Sequence, residues 1–407
     1  MKPTGPIPPA YAGQHGPLTI AGRDAESWAG EAGDTPLFVY DMPGVAAQVR
    51  RFRAAFAGVD LHYAIKANPF PPLLAALAPL VDGLDVASAG ELTRALAVKP
   101  AAAISFAGPG KRDDELAAAI AAGATLNAES AGEVARALAI GERLGKTPRL
   151  AVRVNPAMEL RGSGMKMGGR PSPFGIDAEA AGAVIRTILA AGADWRGLHI
   201  YAGSQALDAG AVIEMQAATL ALARRLADEA GAAPPLANLG GGFGVPYFTG
   251  DTALDVEAVG DALADALATW RGSGTRFAIE LGRWLMAEAG VYLTRIVDRK
   301  ESRGETFLVT DGGLNHQLAA SGNFGTVVRR NYPLAVAGRM GAAAEETVSV
   351  VGPLCTPLDL LGDRVALARA EVGDLIAIFL AGAYGASASP AAFLGHPPAR
   401  ELLAPLP

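Results

Sequence analysis

Cysteine is nearly absent from this 407-residue sequence, which contains only Cys355. One cysteine excludes an internal disulfide and any zinc site built on cysteine ligands. Histidine is also scarce, because the five histidines are scattered along the chain and never form an H-x-x-x-H spacing. We therefore expect no structural metal.

Long runs of positive charge and of apolar residues are missing as well. The net charge is -6, and no Lys/Arg cluster is long enough to follow a phosphate backbone, so we do not expect nucleic acid as the main partner. No run of 18 uncharged apolar residues occurs, and the segment 1–6 lacks the apolar centre of a signal peptide. We expect a cytoplasmic protein without a membrane segment.

Between residues 37 and 283 the sequence alternates short apolar runs with longer helical patterns rich in Ala and Leu. The candidate strands are 61–65, 83–87, 103–107, 125–128, 150–154, 197–202, 236–240 and 276–280. Strands that alternate with helices indicate parallel βαβ units, and eight of them fit a (β/α)₈ barrel. A doubly wound open sheet is the rival architecture.

The pattern changes after about residue 285, where β-rich runs are separated by Gly, Asp and Pro. These runs predict a second, mostly antiparallel β domain. The opening residues, with the apolar stretch 18–20, fit the same domain. The predicted organisation is therefore a barrel over 37–283 and a β domain formed by 1–36 and 284–407.

The most informative segment is Tyr63-Ala64-Ile65-Lys66-Ala67-Asn68, in which a lysine follows a predicted buried strand. A lysine at such a point is costly to desolvate. Burial lowers the pKa of a lysine, and its neutral amine can form a Schiff base with a carbonyl group. A lysine that merely emerges at a strand end is the alternative, and this segment alone leaves both open.

Other polar residues cluster at the carboxyl ends of the predicted strands, where (β/α)₈ barrels carry their functional groups. These residues are Asp85, Ser88, Glu91, Asn127, Glu129, Arg153, Asn155, His199, Tyr201, Ser204, Glu280 and Arg283. The run Gly240–Gly244 follows the seventh strand and is either a phosphate cradle or a flexible turn. It matches neither the nucleotide P-loop nor the dinucleotide fingerprint.

Three further residues each have two interpretations. Glu280 at a buried strand end either pairs with Arg283 or holds a proton on a heterocyclic nitrogen. Cys355 is either an inert apolar filler or a functional thiol, and its Gly, Pro and Asp neighbours indicate a loop. Tyr384 is either a packed surface ring or a hydroxyl group in a functional loop.

Taken together, these segments resemble the fold-type III pyridoxal-phosphate decarboxylases, the diaminopimelate/ornithine decarboxylase group. The matching segments are Tyr-Ala-Ile-Lys-Ala-Asn at 63–68, Asp-Val-Ala-Ser-Ala-Gly-Glu-Leu at 85–92, Asn-Ala-Glu-Ser at 127–130, Arg-Val-Asn-Pro at 153–156, Gly-Ser-Gln at 203–205, the run 240–244, Glu-Leu-Gly-Arg at 280–283, Gly-Pro-Leu-Cys at 352–355 and Gly-Ala-Tyr-Gly at 382–385. They follow the family's order over nearly the whole chain.

The resemblance implies pyridoxal 5'-phosphate as cofactor and a role for each matching residue. Lys66 would form the Schiff base, Glu280 would pair with the protonated pyridine nitrogen and support the quinonoid intermediate, and Cys355 would protonate Cα. Cys355 would come from the other subunit of a homodimer. The cofactor-binding set would be Lys66, Asp85, Arg153, Tyr201, Ser204, Gly241, Gly242, Gly282, Arg283 and Tyr384. Thr356 and Asp359 would lie at the substrate.

The chain departs from the family at two informative positions. Tyr201 stands where the family usually has a histidine stacked on the pyridine ring. Thr356 follows Cys355 where the family usually has an acidic residue for the distal amine of ornithine, lysine or diaminopimelate. A neutral hydroxyl cannot balance a buried ammonium. This pattern resembles the subgroup that includes decarboxylases of carrier-protein-tethered amino acids and exosortase-associated relatives.

The resemblance therefore implies a pyridoxal-phosphate-dependent α-decarboxylase of an amino acid, either free or attached to an acyl carrier protein. A diaminopimelate or ornithine/lysine decarboxylase proper is the first alternative. An amino-acid racemase is the second, although racemases on this fold commonly place arginine by the pyridine nitrogen, where this chain has Glu280. A catalytically inert relative with a regulatory role is the third.

Overall fold

A computed structural model describes every residue except 159, 161, 163, 167, 168, 170, 323–329 and 407. Its strands are β1 (Thr19–Ile20), β2 (Arg23–Asp24), β3 (Leu37–Asp41), β4 (Asp60–Ala64), β5 (Gly83–Val86), β6 (Ile104–Phe106), β7 (Thr125–Ala128), β8 (Arg149–Asn155), β9 (Met165–Lys166), β10 (Ile176–Asp177), β11 (Asp194–Ile200), β12 (Gly203–Ser204), β13 (Leu236–Gly241), β14 (Arg276–Leu281), β15 (Gly290–Ser302), β16 (Glu305–Thr310), β17 (Leu334–Val336), β18 (Glu346–Val351), β19 (Leu360–Leu367), β20 (Leu375–Ile378) and β21 (Arg400–Ala404).

The α-helices separate most of these strands in the first two thirds of the chain. They are α1 (Pro9–Ala12), α2 (Ala25–Ala32), α3 (Met42–Ala55), α4 (Pro71–Leu77), α5 (Ala89–Leu96), α6 (Asp113–Ala122), α7 (Ala131–Leu144), α8 (Ala178–Ala190), α9 (Ala209–Ala230), α10 (Val256–Leu267) and α11 (Arg283–Met286). Among the described residues, none of these helices is both long enough and apolar enough to cross a membrane.

Eight strands form a closed parallel barrel, so the open-sheet alternative is wrong. Around the barrel the order is β4, β5, β6, β7, β8, β11, β13 and β14, and β14 pairs with β4 to close the ring. All these pairings are parallel. Each of the eight predicted strands is present, displaced by at most three residues at either end.

Local sequence signals explain where the barrel helices begin. The hydroxyl groups of Ser88 and Ser130 accept hydrogen bonds from the backbone N–H groups of Glu91 and Glu133, at 3.2 and 3.0 Å. Each serine thereby caps the first turn of a helix, α5 or α7. The Glu91 carboxylate in turn accepts from the N–H of Ala87 at 2.7 Å. Ser88 and Glu91 thus start a helix.

The second unit is the predicted β domain, in which β15 is the central strand. It pairs antiparallel with β3, β16 and β20. Strand β18 pairs parallel with β16 and antiparallel with β19. A buried core of this unit includes Leu18, Trp28, Val39 and Phe379. The mostly antiparallel architecture is confirmed.

The boundary between the units differs from the expected one at residue 37. The barrel unit contains Gln48–Gly244 and Ala253–Gly282, and the β unit contains Met1–Ala47, Val245–Thr252 and Arg283–Pro407. The reason is β3, which pairs with β15 and β21 of the β unit. Its apolar run lies within the range predicted for the barrel, and composition alone does not reveal its partners.

Candidate active site

Lys66 lies directly after the first barrel strand, on a single 3₁₀ turn formed by Ile65–Ala67. Ile65 and Ala67 are buried and Lys66 is exposed, so the expectation of a desolvated lysine is not met within this chain. The turn is held by its neighbours, because the Tyr63 hydroxyl donates to the carbonyl oxygen of Asn68 at 2.9 Å. The lysine is therefore accessible to solvent on a fixed turn at the carboxyl end of the barrel.

Glu280 is the buried carboxylate at the end of β14. Its Oε2 atom lies 2.9 Å from Nε2 of His199 and 3.2 Å from the donating Nδ2 of Asn238. Both contacts involve Oε2, and Oε1 has no hydrogen-bond partner among the described residues. Burial raises the pKa of Glu280, but attraction to His199, Lys66 and Arg153 outweighs it and holds this pKa well below its ordinary value. The carboxylate is ionised and has one free oxygen.

Arg153 is positioned by Glu129, another residue from a predicted strand end. Nη1 of Arg153 donates to Oε1 of Glu129 at 2.7 Å, and the same carboxylate accepts from the N–H groups of Gly108 and Gly175 at 2.5 and 3.0 Å. Burial raises the pKa of Glu129, but the attraction of Arg153, together with smaller effects, outweighs it, so this pKa lies below its ordinary value. Glu129 therefore fixes the direction of the Arg153 guanidinium.

Asp85 lies at the end of β5 and is buried. Its Oδ1 atom is 3.4 Å from Nδ1 of His62, and its Oδ2 atom is buried without a hydrogen-bond partner among the described residues. His62 was not singled out from the sequence as a site residue. The available signal was the alternation of side chains along β4, which places residue 62 on the same face of the strand as residue 64.

Two other predicted polar residues have partners inside the barrel unit. Nδ2 of Asn127 donates to the Ser105 hydroxyl at 2.6 Å, and Nδ2 of Asn155 donates to the Asp177 carboxylate at 2.9 Å. These contacts join neighbouring strands, so both asparagines have a structural role in the barrel.

The glycine run packs directly against the segment that carries Tyr201 and Ser204. At Gly242, where φ is +77°, an added Cβ would lie 2.0 Å from the carbonyl oxygen of Gly203. At Gly241 it would lie 1.8 Å from the carbonyl oxygen of Glu280. Only glycine permits these approaches. Gly242 therefore lies next to the segment of Tyr201 and Ser204, and Gly241 next to Glu280, so backbone N–H groups and the Ser204 hydroxyl are on neighbouring segments.

Gly282 packs on the lysine turn in the same way. A Cβ at Gly282 would lie 2.9 Å from the Cβ of Ala67. Gly282, two residues after Glu280, therefore contacts the turn of Lys66.

Arg283 begins α11 in the β unit and lies among tyrosines. Its Nη1 atom donates to the Tyr247 hydroxyl at 2.9 Å, and its Cζ atom lies 4.8 Å from the centre of the Tyr384 ring. Its Nε atom is buried without a partner, and no carboxylate pairs with it among the described residues. A guanidinium in these surroundings is suited to an anion. Tyr384 adopts φ +59°, which is uncommon for a residue with a side chain.

Tyr247 was missed by the sequence reasoning. It follows the glycine run by three residues, and its ring also lies 5.0 Å from that of Tyr332. Burial raises the pKa of Tyr247, which keeps its hydroxyl protonated beside Arg283. An aromatic residue so close to a candidate phosphate loop was the available signal.

Cys355 is exposed on an irregular loop of the β unit, as expected from its neighbours. Asp359 anchors this loop, because its two carboxylate oxygens accept from the N–H groups of Leu314 and Leu354 at 2.6 and 2.8 Å. Asp359 is only 3% exposed, and burial raises its pKa. Thr356, next to the cysteine, is partly exposed. Among the described residues, no cluster of histidine, cysteine and carboxylate side chains could hold a metal ion.

Comparisons with known proteins define the class to which this barrel and its lysine belong. Residues 43–287 match the family model described as pyridoxal-dependent decarboxylase, pyridoxal binding domain. The chain belongs to this family: it is a fold-type III, pyridoxal-phosphate-dependent amino-acid decarboxylase, as the sequence predicted.

Two relatives and one solved structure illustrate its similarities. An L-glutamyl-[BtrI acyl-carrier protein] decarboxylase from Niallia circulans is 38% identical, covering 91% of this chain and 89% of that protein. A 2-[(L-alanin-3-ylcarbamoyl)methyl]-2-hydroxybutanedioate decarboxylase from Staphylococcus aureus is 29% identical, covering 88% and 92%. The structure of diaminopimelate decarboxylase from Helicobacter pylori complexed with L-lysine has a TM-score of 0.82 at 27% identity, covering 93% and 94%.

Proposed function

We propose that this decarboxylase removes the α-carboxylate of an amino acid whose side chain is joined through a neutral acyl link to a carrier protein. The observation that carries this proposal is the composition of the loop 352–359. Thr356 follows Cys355, and the loop's one carboxylate, Asp359, is buried with both oxygens bound by backbone N–H groups. A buried substrate ammonium needs a counter-charge. Because Asp359 is buried and held by backbone N–H groups, the loop presents no accessible carboxylate to a substrate, which favours a neutral distal end.

The names of both relatives support an acyl link on the substrate's side chain, and the first of them also names a carrier protein. One specifies an L-glutamyl group on an acyl-carrier protein, and the other an L-alanin-3-yl group on a carbamoyl link. Decarboxylation at Cα requires a free α-carboxylate. For this chain, a carrier-bound glutamyl group would therefore be attached through its side-chain carboxyl group, which becomes an uncharged thioester.

The cofactor-binding residues fit pyridoxal phosphate by their own chemistry. The bound cofactor supplies the electron withdrawal that stabilises negative charge at Cα when CO₂ leaves. Lys66, exposed on a fixed turn, offers its amine to the cofactor aldehyde. Glu280, ionised and with Oε1 free, holds the proton on the ring nitrogen. Arg283, with a buried unpaired Nε and no carboxylate partner, binds the phosphate.

The remaining predicted residues complete this assignment. Ser204 and Gly242 offer a hydroxyl and backbone N–H groups to the phosphate, together with Tyr384. Tyr201 provides an aromatic face for the cofactor ring. Gly241 and Gly282 leave room for close backbone approach, and Asp85 and Arg153 orient groups near the lysine.

We propose that Cys355 delivers the proton to Cα and reaches the site from the partner subunit of a homodimer. Its exposed position on an anchored loop is consistent with a role at a subunit interface. Heterodimers of one inactive Lys66→Ala chain and one inactive Cys355→Ala chain should regain up to about half of the wild-type rate, because a two-fold heterodimer holds one intact site of two. No recovery in proven heterodimers would place both residues in one subunit's site.

The substrate is tested by measuring CO₂ release from a panel of compounds at equal concentration. The panel contains a side-chain L-glutamyl thioester of a carrier protein, free glutamate, ornithine, lysine and meso-diaminopimelate, with Lys66→Ala as the inactive control. We expect release from the thioester and little from the free diamino acids. Efficient release from any diamino acid would return the protein to the diaminopimelate/ornithine class. Loss of optical activity without CO₂ would indicate racemisation instead.

A further inference from the structure

A cavity of about 360 Å³ lies inside the barrel, on the side where the strands begin. Its outer lining includes residues that precede or start strands, such as Asp82, Pro235 and Arg276, and its inner lining includes His62 and Asn238. Bulky branched side chains normally fill this part of such barrels, and the reacting groups lie at the opposite end. The cavity is therefore not explained by the proposed reaction.

His62 occupies the inner end of this cavity because glycine stands opposite it. A Cβ at Gly83 would lie 2.6 Å from both Cε1 and Nε2 of the His62 ring. The ring is directed along the strands toward Asp85, with Nδ1 3.4 Å from Oδ1. The second oxygen of Asp85 has no hydrogen-bond partner among the described residues. His62 is thus a side-chain partner of a carboxylate assigned to the cofactor site.

We propose that His62 is a positioning residue that holds the Asp85 carboxylate toward the cofactor, while its ring exchanges protons with solvent through the cavity at the other end of the barrel. The inference rests on the proposed function, because it takes Asp85 as a cofactor-binding residue. It adds a residue that contacts neither cofactor nor substrate. Bulk pH then acts on the site from the face opposite the reaction.

The charges around the ring give the direction of this effect. The charged groups that face His62 or line its cavity are Asp60, Asp82, Asp85, Arg196, Arg276 and Glu280. Burial lowers the pKa of His62, but Asp85, with smaller effects from Asp60 and Glu280, raises it above the ordinary 6.5. For a raised histidine pKa, the stabilising contribution is complete below about pH 6.5 and is lost as pH rises through the folded-state pKa. Rising pH should therefore weaken the contact between His62 and Asp85.

The test compares wild-type protein with His62→Asn and His62→Leu between pH 6 and 9. Asparagine can donate to Asp85 but does not titrate, whereas leucine cannot donate. Cofactor affinity and the absorbance of the bound cofactor are measured, together with the melting temperature of the cofactor-free protein. His15→Asn, a change of the same type in the β unit, is the matched control.

We divide the cofactor affinity of the wild-type protein by that of His62→Asn at each pH. This ratio should fall about tenfold between pH 6 and 9, which is the effect of losing one hydrogen bond to a charged group. The melting temperature of both His62 variants should depend less on pH than that of the wild-type protein. At pH 6, His62→Leu should bind the cofactor about tenfold more weakly than the wild-type protein. A ratio independent of pH, or wild-type affinity in His62→Leu, would overturn the inference. Failure of the proposed function would appear differently, as no CO₂ release from the carrier-bound glutamyl thioester by wild-type protein that binds its cofactor with the expected pH dependence.

Discussion

Replacing Glu280 by glutamine is the sharpest test of the electronic role assigned to this residue. The change keeps the size of the side chain and an oxygen that can accept from Asn238, but it removes the charge. Uncoupling one partner from a buried ion pair costs about 3–5 kcal/mol. Since each 1.36 kcal/mol changes a rate about tenfold, we expect kcat to fall about 10²- to 10⁴-fold if Glu280 holds a proton on the cofactor ring.

The pH dependence of this defect follows from the ionisation of Glu280. Its pKa lies well below the ordinary 4.5, because the attraction of His199, Lys66 and Arg153 exceeds the effect of burial. For a lowered carboxyl pKa, the stabilising contribution is present above about pH 4.5 and lost as pH falls below it. Glu280 is therefore charged throughout pH 6–9, and the ratio of wild-type to Glu280→Gln rates should be constant across that range.

The assay is single-turnover CO₂ release from protein saturated with cofactor, so that weaker binding does not imitate slower chemistry. Glu257→Gln is the control: Glu257 is also in the barrel unit, on α10, where its carboxylate accepts from Nε and Nη2 of Arg51 at 2.7 and 2.8 Å. This ion pair is exposed on the outer face of the unit. The control should leave kcat within about threefold, since a surface change acts only through stability. A Glu280→Gln rate within about threefold of wild type would refute the role.

Three further outcomes are expected. Cys355→Ala should retain cofactor and lose turnover, or give misprotonated product, because the proton donor at Cα is missing; wild-type rate and product by chiral chromatography would make Cys355 a filler. Thr356→Glu should raise CO₂ release from free diamino acids relative to the thioester, since it adds the counter-charge that an ammonium needs; an unchanged preference would contradict this. Asp359→Asn should destabilise the protein by about 1–3 kcal/mol in denaturant unfolding, because an amide nitrogen cannot accept from a backbone N–H, and an unchanged unfolding midpoint would count against the anchoring of the loop.

The barrel was predictable because its signals are local. Residues close together in the sequence determine the short apolar strands, the lengths of the helices and the serine caps, such as Ser88 and Ser130. The residues that end the strands could also be placed, since the carboxyl ends of parallel strands meet at one end of a barrel. Lys66, Glu280 and Arg153 therefore lie at the ends of the strands predicted to carry them.

What the sequence could not provide were contacts between residues far apart in the chain. The assignment of β3 to the β unit depends on β15, some 250 residues later in the chain. His199 as the partner of Glu280, and the anchoring of Asp359 by Leu314, likewise join distant segments. Such pairings follow from tertiary packing, and no local pattern encodes them.

The most direct test of the account is a competition in one reaction mixture. A carrier protein bearing a side-chain L-glutamyl thioester and free meso-diaminopimelate are supplied at equal concentration, and both products are followed by mass spectrometry. The account predicts that the carrier-bound group loses the mass of CO₂ while diaminopimelate remains, and that Lys66→Ala converts neither. Formation of lysine from diaminopimelate, with the carrier-bound group unchanged, would contradict it.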